Sequence, residues 1–333
     1  MHKEAMLLLC AVLLLPALAA CGPAQATPVP ETVTLAMGYI PNIQFAPFYV
    51  AVDKGYFAEE GIEVEFDYGW ETDLLKLVGS GELQFAIASG DQIILARSQG
   101  LPVIYILNWY RRFPVCVVSL ASAGIQQPYD LVGQVVGTPA TYGASYIGWR
   151  ALLDATGMEE GDVELVSIGY TQVAALSEGQ VDAAICYAMN EPVQLRTTGE
   201  ALDIIYVADY MNLVSNGLIT NEETAAQQPE LVEGLVRAAL RGLADTLADP
   251  DGAFEIARGY VPELASDADT EAVNRAILAE SLEFWRAPTG RLGYSDEAEW
   301  RTSQQIMTQM GLLVEESEVS EMFTNRFVQA ASP

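Results

Sequence analysis

The sequence predicts an α/β protein built as two lobes, and three observations predict it. Short β-rich runs alternate with helical stretches from Thr32 onward, as strand-helix units around largely parallel sheets do. A chain of 333 residues with 51% hydrophobic side chains is generous for one core and natural for two. Finally, Gly81-Glu82-Leu83-Gln84-Phe85-Ala86-Ile87 is echoed by Gly179-Gln180-Val181-Asp182-Ala183-Ala184-Ile185. Each copy follows a helix and leads through an acidic position, Asp91 or Glu191, into another helix that ends near Gly100 or Gly199.

The elements follow one another without long loops. Val33 to Tyr39 reads as a strand, Phe45 to Ala58 as a helix, Ile62 to Tyr68 as a strand and Thr72 to Ser80 as a helix. Phe85 to Ala88 is a short buried strand, Gln92 to Gln99 a helix stopped by Gly100, and Val103 to Asn108 a further strand. A second series runs through strands at Val115 to Leu120 and Val135 to Thr138, a helix from Ser145 to Thr156 closed by Gly157, and a strand at Val163 to Ile168. A helix from Thr171 to Ser177 and a strand from Ile204 to Ala208 complete it. Thereafter helices take over, at Pro229 to Leu247, Ala253 to Tyr260, Thr270 to Phe284 and Ser295 to Met310.

The amino terminus carries an export signal. Lys3 precedes an apolar run from Met6 to Leu18, too short to span a bilayer and followed at once by small residues. Leu18-Ala19-Ala20-Cys21 resembles the lipobox of bacterial lipoproteins, which implies that Cys21 is acylated and becomes the first mature residue. Residues 1–20 are then a signal peptide, and the Pro-, Ala- and Thr-rich stretch 21–31 a tether.

Charge and composition exclude several classes. A net charge of −29 repels phosphate backbones, so no nucleic acid is expected as a partner. The one histidine, His2, falls in the signal, which leaves no imidazole for a base, a nucleophile's partner or a metal ligand. No metal, cofactor or catalytic residue is expected. Cys116 and Cys186, both inside apolar runs, read as buried small hydrophobes, although export permits a disulfide if their Cβ atoms meet.

A resemblance then sharpens the reading. Gly38-Tyr39-Ile40-Pro41-Asn42, Phe48-Tyr49-Val50-Ala51 and Lys54-Gly55-Tyr56-Phe57-Ala58-Glu59-Glu60-Gly61-Ile62 resemble the opening of the NMT1/THI5-like substrate-binding proteins of ABC importers. So do Gly143-Ala144-Ser145-Tyr146, Ser167-Ile168-Gly169-Tyr170-Thr171-Gln172 and Asn190-Glu191-Pro192-Val193-Gln194. The likeness is good from Val33 to Gly199 and looser in the helical tail. It implies a two-lobed periplasmic-binding-protein type II fold, with 32–112 plus 200–333 as lobe 1, 113–199 as lobe 2 and a ligand cleft between them. It also implies a permease and an ATPase as partners, at the outer face of the cell membrane. The Gly-Ala-Ser-Tyr and Asn-Glu-Pro-Val-Gln segments look most like riboflavin-binding receptors, with thiamine-pyrimidine receptors as the alternative.

A receptor for a flat heteroaromatic needs ring faces and a few directional polar groups, and loops at the carboxyl ends of strands supply both. The first lobe offers Tyr39, Asn42, Gln44, Trp70, Ser89, Asp91 and Trp109. The second offers Tyr142, Gly143, Ser145, Tyr170, Tyr187, Asn190 and Glu191. Phe48, Tyr49, Tyr56, Phe57, Trp149 and Trp285 have helical spacing and read as core, whereas Tyr39, Trp70 and Trp109 stand beside Gly, Pro or Asn at strand ends. The segment from Tyr142 to Ser145 opens a helix whose free N–H groups suit an acceptor-rich partner, with Ser145 as the expected cap. Glu191 either meets a ring nitrogen or only favours the positive end of the next helix. Arg111-Arg112 reads as a hinge or ion-pair element. Enzymes of this fold that build the thiamine pyrimidine from their own histidine and pyridoxal phosphate find no equivalent histidine here, and Lys54 and Lys76, the candidate Schiff bases, sit at helical positions.

Overall fold

Strand burial shows how the chain enters its first sheet. In β1 (Glu31–Met37) Val33, Leu35, Ala36 and Met37 are all fully buried. After helices α1 (Ala46–Asp53) and α2 (Tyr56–Glu59), β2 (Ile62–Tyr68) alternates instead, with Glu63, Glu65 and Asp67 exposed, as an edge strand with one wet face requires. The single helix expected over Phe45 to Ala58 is two, because Gly55 takes φ +75° and breaks the turn. The computed structural model describes residues 30–286 and 291–331; residues 1–29, with the expected signal, most of the tether and Cys21, lie outside them.

Helix α3 (Glu71–Ser80), β3 (Phe85–Ser89), α4 (Gly90–Ser98) and β4 (Val103–Asn108) complete the first series, and residues 109–114 carry the chain across to a second sheet. There follow β5 (Val115–Leu120), β6 (Val135–Thr138), α5 (Gly143–Thr156), β7 (Glu164–Ser167), α6 (Gln172–Ser177), β8 (Ala183–Tyr187), α7 (Glu191–Thr197) and β9 (Leu202–Tyr206). Residues 207–215 return to the first sheet as β10 (Asn216–Asn221). Helices α8 (Glu222–Gln227), α9 (Pro229–Ala248), α10 (Pro250–Tyr260), α11 (Ala268–Trp285), α12 (Glu297–Gln309), α13 (Val319–Met322) and α14 (Arg326–Ala330) finish the described chain.

The two sheets repeat one plan. The first has the order β2-β1-β3-β10-β4 and the second β7-β6-β8-β5-β9. In each, the strand arriving from the other sheet, β10 or β5, is antiparallel to its neighbours, while the β1-β2, β1-β3, β6-β7 and β6-β8 pairings are parallel. The echoed segments run into β3 and β8, which hold the same central place in their sheets. The sheets are therefore mixed but largely parallel: four strands of each run one way and only the strand arriving from the other sheet opposes them.

Two expectations change. β10 has no counterpart in the sequence reading, which turned helical after Ala208. Residues 202–206, expected with lobe 1, pair with β5 and form the far strand of the second sheet, so that sheet extends beyond position 199. The two crossings are tied together: the Trp109 and Tyr110 N–H groups donate to the Asn216 carbonyl at 3.1 and 2.9 Å, and the Phe113 N–H donates to Asn212 Oδ1 at 3.0 Å.

Packing over the first sheet is close. A Cβ on Gly242 of α9 would lie 2.1 Å from the Pro47 carbonyl oxygen of α1, so only glycine allows those helices to approach as they do. Cys116 and Cys186 are cross-strand partners in β5 and β8, both buried and both free thiols. Phe48, Tyr49, Phe57, Trp149 and Trp285 lie in the core, while Tyr56 is half-buried. Among the described residues no helix is long and apolar enough to cross a membrane.

Candidate functional site

Strands of both sheets end at a shared cleft enclosing about 780 Å3 of empty space, open solvent at its mouth included. Residues following β1, β2 and β4 bring Tyr39, Gln44, Trp70 and Trp109 to its wall. The second sheet brings Tyr142, Gly143 and Ser145 at the start of α5, Tyr170 after β7, and Tyr187, Asn190 and Glu191 around the end of β8. Three expected residues do not line it. Asn42 caps the turn after β1 through the Gln44 N–H (3.0 Å) and donates to Asn190 Oδ1 at 3.4 Å; Ser89 and Asp91 are fully buried behind the wall.

Aromatic rings close the mouth. Trp70 and Tyr170 stack across it with centroids 4.6 Å apart and planes 17° apart, Tyr39 meets Tyr170 edge-on at 4.8 Å, and Tyr142 stands 6.0 Å from Trp70. Trp70, Tyr142 and Tyr170 keep 38%, 52% and 37% of their surface exposed, in contrast to Trp109, which is buried against Phe45, Phe48 and Trp285. Offset and edge-on ring pairs of this kind suit a flat guest, which meets the same preferences.

The floor is polar. Sequence reasoning missed Glu71, Thr72, Gln92, Gln172 and Asn216, all of which line the cleft. Glu71 Oε1 accepts from the Ser89 N–H and from Gln92 Nε2, and Thr72 Oγ1 donates to Gln92 Oε1 at 3.0 Å. The Tyr187 hydroxyl donates to Asn216 Oδ1 at 3.3 Å and the Tyr187 N–H to Glu191 Oε2 at 3.1 Å. Tyr110 reaches Gln44 Oε1 at 3.0 Å. The buried Gln172 Oε1 and Trp109 Nε1 have no hydrogen-bond partner in the protein, which leaves an acceptor and a donor among the lining residues.

A usable signal existed for the missed residues. Glu71, Thr72 and Gln92 lie in the first turns of helices that directly follow strands, within two positions of Trp70 and Asp91. α4 begins at Gly90, two residues before the predicted start. Likewise α5 begins at Gly143 with Tyr142 as its cap residue, so Ser145 lies inside the helix and does not cap it.

Burial governs the titration of the cleft carboxyls. It pushes Glu71 up to about 8, with the neighbouring Asp91 adding to the effect and the Ser89 and Gln92 donors opposing it. Asp91 and Glu191 are each raised to about 7, also by burial. Tyr39 and Tyr170 are held protonated well above the usual phenol range by burial, with Glu191 among the further causes for each. At neutral pH these carboxyls are therefore proton donors as well as acceptors.

Basic groups are engaged elsewhere. The Arg111 guanidinium donates to the Tyr294 carbonyl, and Arg112 pairs with Asp209 at 2.6 Å. Lys54 pairs with Asp245 at 2.6 Å and Lys76 with Asp73 at 3.0 Å. Neither lysine lines the cleft.

Two sheets of the same plan, crossed twice by the chain and opening on one cleft, define a two-lobed periplasmic-binding-protein fold. The alkanesulfonate-binding protein SsuA from Xanthomonas axonopodis pv. citri, solved bound to MOPS, has it too: the TM-score is 0.70 at 13% identity, over 90% of this chain and 100% of that one. At such identity the likeness concerns the fold alone. The chain belongs to the NMT1/THI5-like family, whose model matches residues 42–253. It is 45% identical to riboflavin-binding protein RibY of Chloroflexus aurantiacus, over 92% of this chain and 89% of that protein. It is 31% identical to the formylaminopyrimidine-binding protein of Halalkalibacterium halodurans, over 81% and 82%. An enzyme is also among its relatives: the 4-amino-5-hydroxymethyl-2-methylpyrimidine phosphate synthase of Legionella pneumophila, 26% identical over 89% and 92%.

Proposed function

We propose that this chain is the substrate-binding component of an ABC importer, that it captures riboflavin or a close flavin, and that it delivers the cargo to a membrane permease. The observation that carries the reading is the 45% identity to a riboflavin-binding protein over nearly the whole of both chains. The cleft supports it chemically. Aromatic faces at Trp70, Tyr170 and Tyr39 offer stacking, and the buried Trp109 offers its unpartnered indole N–H. Glu71, Gln92, Gln172, Asn190 and Glu191 offer the mixed donors and acceptors that an isoalloxazine edge presents in reverse. The lipobox at Cys21 supports export and anchoring by acyl chains, with the ATPase as the further partner.

Catalysis has little support. No histidine occurs after residue 2, and the lysines able to form a Schiff base are paired on the surface. Binding without reaction is therefore the function proposed. Titration of riboflavin with the purified chain tests it: flavin fluorescence is expected to quench with saturation at micromolar protein or below, and a flat titration refutes the flavin reading. The 31% identity to a formylaminopyrimidine-binding protein supports a second reading, with a thiamine pyrimidine precursor as cargo. Competition of the two compounds for one site separates them. Loss of acyl labelling in Cys21→Ser tests the anchor.

A further inference from the structure

We propose that the cleft selects uncharged cargo, admitting the free vitamin-type ring compound and turning away its anionic phosphate or sulfate ester. The inference rests on the functional reading above and adds to it the charge class of the substrate. Two carboxyl side chains, Glu71 and Glu191, line the cleft, and Asp91 is buried beside Glu71; among the described residues the lining contains no lysine, arginine or histidine. Of the basic groups nearest in sequence to lining residues, Arg112 is paired with Asp209 and Lys76 with Asp73, and Arg111, which donates to the Tyr294 carbonyl, does not line the cleft.

An anion entering such a site is deprived of water and gains no counter-charge. Ionised, Glu71 and Glu191 repel it; protonated, they donate single hydrogen bonds and leave its charge uncompensated. Helices α3, α4, α6 and α7 also begin at the cleft, but α3, α4 and α7 carry Glu71, Asp91 and Glu191 in their first turns and α6 has only six residues. That leaves the amino-terminal end of α5, the longest helix starting there without an acidic side chain in its first turn. That end is equivalent to about half a charge, whereas a phosphomonoester carries nearly two. It is also partly covered, because Thr72 Oγ1 and Gln92 Nε2 stand 3.8 and 3.9 Å from where a Cβ on Gly143 would be. A neutral ring with carbonyl, ring-nitrogen and hydroxyl groups meets none of these penalties. It finds donors and acceptors in Thr72, Gln92, Gln172 and the two carboxyls. A phosphorylated form present outside the cell has to be hydrolysed to its alcohol before capture, and any phosphorylation of the cargo follows uptake.

The test is a paired calorimetric titration of the full chain with riboflavin and flavin mononucleotide, and in parallel with hydroxymethylpyrimidine and its phosphate. The phosphate is expected to bind at least about 30-fold more weakly than its free partner, the order of one close like-charge contact in a partly buried site. Any smaller gap for the ring system that binds overturns the inference. If neither flavin binds while the free pyrimidine does, the flavin reading fails and the pyrimidine pair decides the charge question. If neither free compound binds, both proposals fall. In Thr72→Lys, which adds a cation facing Gly143, the gap is expected to narrow at least about tenfold. A gap unchanged in that variant, with ellipticity like that of the parent, shows that discrimination has another origin and overturns the inference.

Discussion

Replacing Trp70 by Ala is the sharpest test of the aromatic mouth. The Trp70 and Tyr170 rings stack at 4.6 Å, and a guest ring held between them at van der Waals contact on both faces needs roughly 7–8 Å, so the pair must part by roughly 2.5–3.5 Å. The guest replaces one ring contact with two. Removing the indole takes away one face, and a ring contact of this type is worth about 1–3 kcal/mol by alanine substitution, which is about a 5- to 150-fold rise in Kd. Trp70→Phe keeps a ring at the same place and is expected to lose less than about tenfold. The assay is fluorescence titration with riboflavin for the parent and both variants. Because Trp70 is 38% exposed, its loss should leave the melting temperature of the ligand-free protein within about 2 °C of the parent. A Kd for Trp70→Ala within twofold of the parent would refute the stacking argument.

Other outcomes follow from the same coordinates. Glu71, Asp91 and Glu191 all have folded-state pKa values raised by burial, so the native state holds more protons than the unfolded chain between the ordinary carboxylate range and about 8. Stability from these groups is therefore present at low pH and lost as pH rises toward 8. Melting temperature should fall from pH 5 to pH 8, and Glu71→Gln should flatten the fall; a rise over that window contradicts the assignment. Cys116 and Cys186 have their thiols pushed up by burial and should resist alkylation in the native protein while both react after denaturation without reductant. Gly242→Ala places a methyl group against the Pro47 carbonyl and Ala51, and is expected to destabilise by about 1–3 kcal/mol, read by urea unfolding. An unaltered midpoint there means that α1 and α9 can shift apart freely.

The strands with apolar runs or clean alternation were legible from the sequence: Val103–Asn108, Val115–Leu120 and Val135–Thr138 of the first kind and Ile62–Tyr68 of the second lie where the pattern put them. β10 was not, because Asn216-Gly217 opens it with turn chemistry and its polar ends hide a strand that is buried throughout. Gly217 is there for contact rather than for turning: a Cβ would lie 2.2 Å from the Tyr105 hydroxyl oxygen, which donates to the Ser215 carbonyl at 2.9 Å. Strand order is likewise a long-range property, and nothing local in residues 202–206 says which sheet they join.

In the cleft, the loops were legible and the helix starts were not. Side chains separated by one residue at a helix start point about 100° apart, so an error in the first helical residue exchanges a wall residue for a buried one. Asp91 and Gln92 show this directly, since α4 starts at Gly90 and it is Gln92 that reaches the cleft. Asn216 was missed for a different reason, since it belongs to the strand that went unrecognised.

The paired crossings have a mechanical consequence. Residues 109–114 and 207–215 leave adjacent strands of each sheet, and the hydrogen bond from the Phe113 N–H to Asn212 Oδ1 fastens one strap to the other. Two straps joined side by side permit a swing about one axis and resist twisting, so the halves part like a book on its spine. Trp109 lies beside the spine and also lines the cleft, so a guest that reached that indole would rest against the pivot itself.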